Sequence, residues 1–171
     1  MIIRNRHKGF SLIELLIVVA VLLIIAAFAI PNFMRSKMSA NQASAVGSLR
    51  TINTACIAYS TTYSQFPAAL TNLGPVDSSG PGNGHGHGNG LAPDPVSSTA
   101  ADLLDSVLAA GEKSGYTFVY TPGTDNQSYT ITATPITAAA TGQNMYFTDQ
   151  SGVIRVDTSG SGATLASTPI G

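Results

Sequence analysis

Residues 15–30 are sixteen apolar side chains in a row, with no polar residue among them. Extended back through Phe10-Ser11-Leu12-Ile13-Glu14, the segment is twenty-one residues long, and Ser11 and Glu14 are its only polar members. That is close to the ~20 residues an α-helix needs to cross the hydrocarbon core of a bilayer. Arg4, Arg6, His7 and Lys8 precede it, and no acid does. A basic flank holds its side of a span in the cytoplasm. The rest of the chain is therefore expected on the outer side of a membrane.

Glu14 is the residue that an ordinary span does not explain. A carboxylate within a hydrocarbon-length helix costs roughly 2.5–3.5 kcal/mol on insertion scales, and such residues are usually paired or functional. A cut between Gly9 and Phe10 would create an amino group on Phe10, four residues before Glu14. Residues four apart share a helix face. The new positive charge could answer Glu14 in its own chain or in a neighbour.

Lys8-Gly9-Phe10-Ser11-Leu12-Ile13-Glu14 resembles the processing motif of type IV prepilins and of the pseudopilins of type II secretion. The likeness lies in Gly9 before the cut, Phe10 after it, Glu14 fifth in the mature chain, and a short basic leader. It implies that a membrane-embedded prepilin peptidase cuts after Gly9 and N-methylates Phe10. It implies further that Glu14 neutralises the terminal amine of an adjacent subunit during filament assembly. Two plainer readings compete. One is a secretory signal peptide, with Ala27-Phe28-Ala29 as a small-x-small cleavage site. The other is an unprocessed membrane anchor. Against the first, Glu14 interrupts the apolar region near its start, and the run continues to Ile30 past that site. Neither accounts for Gly9, Phe10 and Glu14 together.

The chain has 171 residues and a formal net charge of −1. Loss of residues 1–9 removes Arg4, Arg6 and Lys8, which leaves five basic side chains against nine acidic ones, a net of −4. A mildly acidic chain is a poor match for broad nucleic-acid binding, which needs cationic side chains on the phosphates. About 140 residues follow the apolar run, enough for one compact domain. Cys56 is the only cysteine, so the chain cannot form an intrachain disulfide. Many pilins close their C-terminal region with a cysteine pair, and here the resemblance fails. Cys56 shares helical spacing with Leu49, Ile52 and Tyr59, and reads as a small buried apolar residue.

Pro31 follows the apolar run. It forfeits the hydrogen bond to the carbonyl of Ala27, so a kink is expected there. Helical periodicity resumes at once, with Val46, Leu49, Ile52, Cys56, Tyr59 and Tyr63 on one stripe and Ala43, Ala45 and Ala55 near it. Ser39, Asn41, Gln42, Ser48, Arg50 and Thr54 form the other face. The expectation is one helix over residues 10–63, on the order of 80 Å long. Its first half (residues 10–30) is apolar all round, and its second half (31–63) is amphipathic. Arg35 and Lys37 then read as cations anchoring the membrane interface. Phe66-Pro67 stops the helix, and the stretch over residues 59–74 is similar to the segment after the long helix in pilins and pseudopilins.

Residues 64–171 make up the head. A loop is expected over 75–95, with a Gly/His-rich tract at 80–90. His85 and His87 lack a nearby Cys, Asp or Glu to complete a metal site. Residues 97–110 predict a short helix capped by Ser98 or Thr99, with Leu103, Leu104, Val107 and Leu108 inward. Residues 111–115 predict a turn. Four strands are then expected, at 116–121, 129–135, 144–148 and 153–156. They have period-two patterning, with one face against the amphipathic helix. From residue 158 the small polar residues predict a frayed tail.

No G-x-S-x-G, P-loop or H-E-x-x-H pattern occurs, and the chain reads as non-enzymatic, with no cofactor. Asp125, Asp149 and Asp157 fall in or beside strand turns. Some pseudopilins bind calcium in such loops, which requires six to eight oxygens; turn-forming aspartate is the simpler reading. The fold class is thus α+β and pilin-like, a long N-terminal helix on an antiparallel meander of about four strands.

The function implied is a structural subunit of a type IV pilus-like filament. Its partners are other copies of itself, the membrane, the prepilin peptidase and an inner-membrane assembly platform. Its place is the inner membrane, then the cell surface. The alternative is a pseudopilin forming a periplasmic pseudopilus for protein export. The remote rival is a secreted enzyme behind a cleavable signal, whose mature chain would begin near Ile30.

Overall fold

The computed structural model describes residues 10–76 and 96–170. The expected leader (residues 1–9, Gly9 included) and the tract with His85 and His87 lie outside the described residues. Two compact units meet at Lys37 and Met38. One element belongs to both, the helix α1, Leu12–Tyr63, of 52 residues. Pro31 lies inside it, and the helix continues to Tyr63. It stops where expected, just before Phe66-Pro67, with Ser64 in the left-handed region at φ 57°.

From Met38 onward the fold is α1 against a six-stranded antiparallel sheet in the order β1-β2-β3-β4-β5-β6. The strands are β1 Glu112–Lys113, β2 Tyr116–Pro122, β3 Tyr129–Pro135, β4 Met145–Asp149, β5 Ile154–Asp157 and β6 Thr168–Ile170. The four expected strands are present as β2 to β5. The register places Phe118 opposite Ala133, Ala133 opposite Tyr146, and Tyr146 opposite Val156. These residues therefore share one face. On it Tyr116, Phe118, Tyr129, Ile131, Ala133 and Tyr146 are buried with Ala45, Leu49, Ile52, Cys56 and Tyr59 of α1 in one core. The intervening residues Thr117, Thr121, Thr130, Thr132 and Thr134 lie on the opposite face, as the two-residue period of a strand requires.

Three expectations need correction. The meander has six strands where about four were expected. β1 falls in the stretch read as a turn, and β6 in the stretch read as frayed. β6 forms because Ile154 and Ile170 pair across β5 and β6, and Ile170 packs against the core. The helix expected over residues 97–110 shrinks to α2, Ser106–Ala109, and its cap is Asp105, which accepts from the Leu108 amide. The residues before it spend their amides elsewhere. Ala101 donates to the Asn72 carbonyl at 2.9 Å, Asp102 to Gly74 at 2.9 Å, and Leu104 to Leu73 at 2.8 Å. Asp102 also has φ 53°, which a right-handed helix does not tolerate. As a result Leu104 and Leu108 are buried, while Leu103 and Val107 are exposed. Ser48, assigned to the polar face of α1, is buried as well.

The helix and the sheet are keyed together by one buried polar residue. Asn53 is 6% exposed and Thr148 fully buried. The Asn53 amide donates to the Thr148 hydroxyl at 2.9 Å, and its carbonyl accepts from the Tyr129 hydroxyl at 3.1 Å. An unsatisfied group here could not reach water, so the three side chains depend on one another. Asn53→Ala leaves the Tyr129 hydroxyl without its acceptor and should cost about 2 kcal/mol. A urea unfolding curve of the detergent-solubilised chain checks this, with the midpoint falling and the slope unchanged.

Candidate functional site

Phe10 is 77% exposed and precedes α1 by two residues. The Leu15 amide donates to the Ser11 carbonyl at 3.2 Å, closing the first turn. Glu14 sits in that turn, where the unpaired amides of a helix start favour a negative charge. From Leu12 through Ile30 every large apolar side chain is exposed. The most apolar 18-residue window in α1 has a mean hydropathy of 3.2 with none of it buried. By length and composition this helix can cross a membrane.

The exposed surface goes all the way round. Leu12, Leu15, Leu16, Val19, Ala20 and Leu23 line a shallow apolar groove, and their spacing puts them on one flank. At about 100° per residue, Glu14 falls roughly 160° from Leu12, nearly opposite that flank. Its own face continues apolar, through Ile17, Val21 and Phe28. A helix that is apolar on every side has no face to give to water. Whatever covers it must surround it.

The other sequence candidates do not converge. Asp125 lies in the turn between β2 and β3, at φ 56°. Asp149 ends β4 and pairs with Thr130, which puts it at the same end of the sheet. Asp157 pairs with Met145 and so stands at the other end. The Asp149 carboxylate accepts from the Ser151 amide at 2.9 Å and from the Ser151 hydroxyl, as a turn-forming aspartate does. Among the described residues no three His, Cys, Asp or Glu side chains gather as a metal site. The residue that sequence reasoning passed over is Asp105. It caps α2 and meets Lys113 at 2.8 Å. The Lys113 ammonium and the Leu108 amide together hold its carboxyl below the usual range.

Residues 4–30 match the family described as the prokaryotic N-terminal methylation motif. The chain is also 48% identical over 50 residues to the type IV major pilin protein PilA of Myxococcus xanthus (strain DK1622). That stretch is 29% of this chain and 23% of the relative, so the match spans about a quarter of the relative's length. No solved structure matches the chain. The motif and the relative liken the N-terminal part of the chain to type IV pilins. The matched residues include the apolar stretch of α1 that is long enough to cross a membrane.

Cys56 is fully buried on the core side of α1. Burial pushes its thiol up to about 12, outweighing the opposite pull of the Tyr129 hydroxyl. A thiol this protonated is a poor nucleophile. Cys56 should stay unlabelled by a disulfide reagent near neutral pH for as long as the chain is folded. It should react at once when urea is added, an outcome read by absorbance of the released thiolate.

Proposed function

We propose that the chain is a structural subunit of a type IV pilus-like filament, made as a precursor and assembled through the N-terminal half of α1. The observation that carries this is a methylation motif that runs into a helix with nothing among the described residues to cover it. The precursor enters the inner membrane by residues 10–30, with its N-terminus in the cytoplasm and residues 64–171 in the periplasm. A prepilin peptidase cuts between Gly9 and Phe10 and methylates the new amine of Phe10. An assembly platform then passes the subunit from lipid into a helical bundle of its own kind. Apolar surface covered by lipid becomes apolar surface covered by protein.

In that bundle Glu14 accepts the Phe10 amine of an adjacent subunit and sets the register between them. Pro31 supplies a point at which the helix bends as it packs. Contacts that repeat head to tail, without closing, generate an open helix. Likeness to a major pilin supports the pilus reading over the pseudopilus reading. No role in binding nucleic acid is part of the proposal.

Mass spectrometry of the mature protein tests the processing. The expected chain starts at N-methylated Phe10, and a chain that keeps residues 1–9 or begins near Ile30 overturns the reading. Glu14→Ala tests the assembly. Cleavage should proceed while sheared filaments fall roughly a hundredfold, the scale of losing a buried charge pair. Normal filament yield from that variant would exclude the role given to Glu14.

A further inference from the structure

The last strand is held differently from the others. β6 pairs with β5 through Ile154 and Ile170, Arg155 and Pro169, and Val156 and Thr168. Pro169 has no amide to give to that ladder. β6 is the edge of the sheet, so no further strand supports it. The lone cysteine is on α1, so no covalent bond ties the strand down. In the connection from β5, over residues 158–167, the first half is gathered around the Asp157 carboxylate. Asp157 Oδ1 accepts from the Ser159 amide at 2.8 Å and from the Ser159 hydroxyl at 2.6 Å. Its Oδ2 accepts from the Gly162 amide at 2.9 Å. The Ser161 amide in turn donates to Ser159 Oγ at 3.3 Å.

Two glycines let the chain make this loop. Gly160 and Gly162 have φ of 79° and 110°, conformations that side chains resist. Beyond the loop, Arg155 Nη1 donates to the Ser167 carbonyl at 3.2 Å, just before β6 begins. Both ends of the connection are thus tied to β5 by its own side chains. We propose that Asp157 is the release point of β6, so that loss of its carboxylate charge frees the strand and bares the edge of β5. A bared edge is a ready template for pairing with another strand.

The charged surroundings are sparse. Arg155 is the one cation on β5, Met145 faces Asp157 from β4, and β6 carries only Thr168, Pro169 and Ile170. The Ser159 hydroxyl, then the backbone amides, hold the Asp157 carboxyl below the ordinary range. For a carboxyl lowered on folding, the stabilisation is present above the unfolded value of about 3.9. It is lost as pH falls through the lowered folded value.

Hydrogen exchange on the full chain in detergent tests this, comparing wild type, Asp157→Asn and Asp157→Ala at about pH 6, above the carboxyl range. Ser159→Ala serves as a milder variant, removing one hydroxyl and leaving the charge. The expected result is exchange roughly tenfold faster at Thr168, Ile170 and the loop before them, with the β2–β3 ladder unchanged. Wild type near pH 2, below the carboxyl range, should show the same local loosening first. Unchanged exchange at Thr168 and Ile170 in every variant would overturn the proposal. So would acceleration spread equally over β2 and β3, which would make Asp157 a support of the whole sheet.

Discussion

An apolar helix surface left open on all sides is the constraint on which the rest of the structure depends. Fully burying one Val, Leu, Ile or Phe side chain is worth about 1.5–3 kcal/mol. Over residues 15–30 the sum reaches tens of kcal/mol, more than the net stability of most domains. No fold of the remaining residues offsets that while leaving the helix in water. In the proposed reading the cover is a bilayer, then copies of the chain. Glu14 makes the second partner necessary in the proposed reading. A lipid chain offers no hydrogen-bond donor, whereas a neighbouring subunit brings an amine.

The same helix has to satisfy a second environment after Lys37, and the sequence changes to suit it. Before that point, from Leu15 to Ile30, every position is apolar. After it, alanines, serines and threonines take the outer positions, and only one stripe stays apolar. Thr51, Thr54 and Thr62 return their hydroxyls to carbonyls one turn back, at 3.1, 2.9 and 3.3 Å. Those donors are satisfied without water and without charge. An outer helix face built this way is polar in composition yet asks little of its surroundings. The inner stripe does the opposite, spending the polar side chain of Asn53 on the sheet.

Periodicity made most of this legible. A sixteen-residue apolar run and the 3.6-residue stripe after it gave α1 to its last residue. Period two gave β2 through β5 and the face that packs. What escaped were features decided by contacts distant in sequence. β6 is three residues long and looks like tail until Ile154 supplies a partner. Residues 101–104 have the pattern of a helix, but the carbonyls of Asn72, Leu73 and Gly74 take their amides first. Ser48 and Asn53 are polar letters in buried places, and for Asn53 the sheet residues Thr148 and Tyr129 explain why. Of the proposed site, Glu14 stands out in sequence because charge is rare there. The loop bonds of Asp157 do not, because serine and glycine beside an aspartate are ordinary turn composition.

With no disulfide available, the domain that begins at Met38 closes its loops with tyrosines. The Tyr59 hydroxyl donates to the Ser98 carbonyl at 2.7 Å, Tyr116 to Asn144 at 2.9 Å, and Tyr120 to Pro67 at 2.7 Å. Each ring is in or against the core while its hydroxyl reaches a connecting segment. Each therefore contributes apolar burial and a loop tether from one side chain. The rings also support one another. Tyr120 stacks on Tyr129 at 5.6 Å, and Phe66 meets Tyr129 edge-on at 4.8 Å. Burial pushes the Tyr116 phenol up to about 12, and those of Tyr120 and Tyr129 up as well. The hydroxyls thus remain donors through any ordinary pH. Tight packing enforces the geometry. A Cβ on Gly142 would lie 2.7 Å from Cζ of Tyr116, closer than the ring could accept without moving. The tethers on Ser98, Asn144 and Pro67 are neutral and pH-insensitive, whereas the clasp on the β5–β6 connection is anionic. That difference in chemistry is why loss of the Asp157 charge would act on the last strand and leave the tyrosine tethers in place.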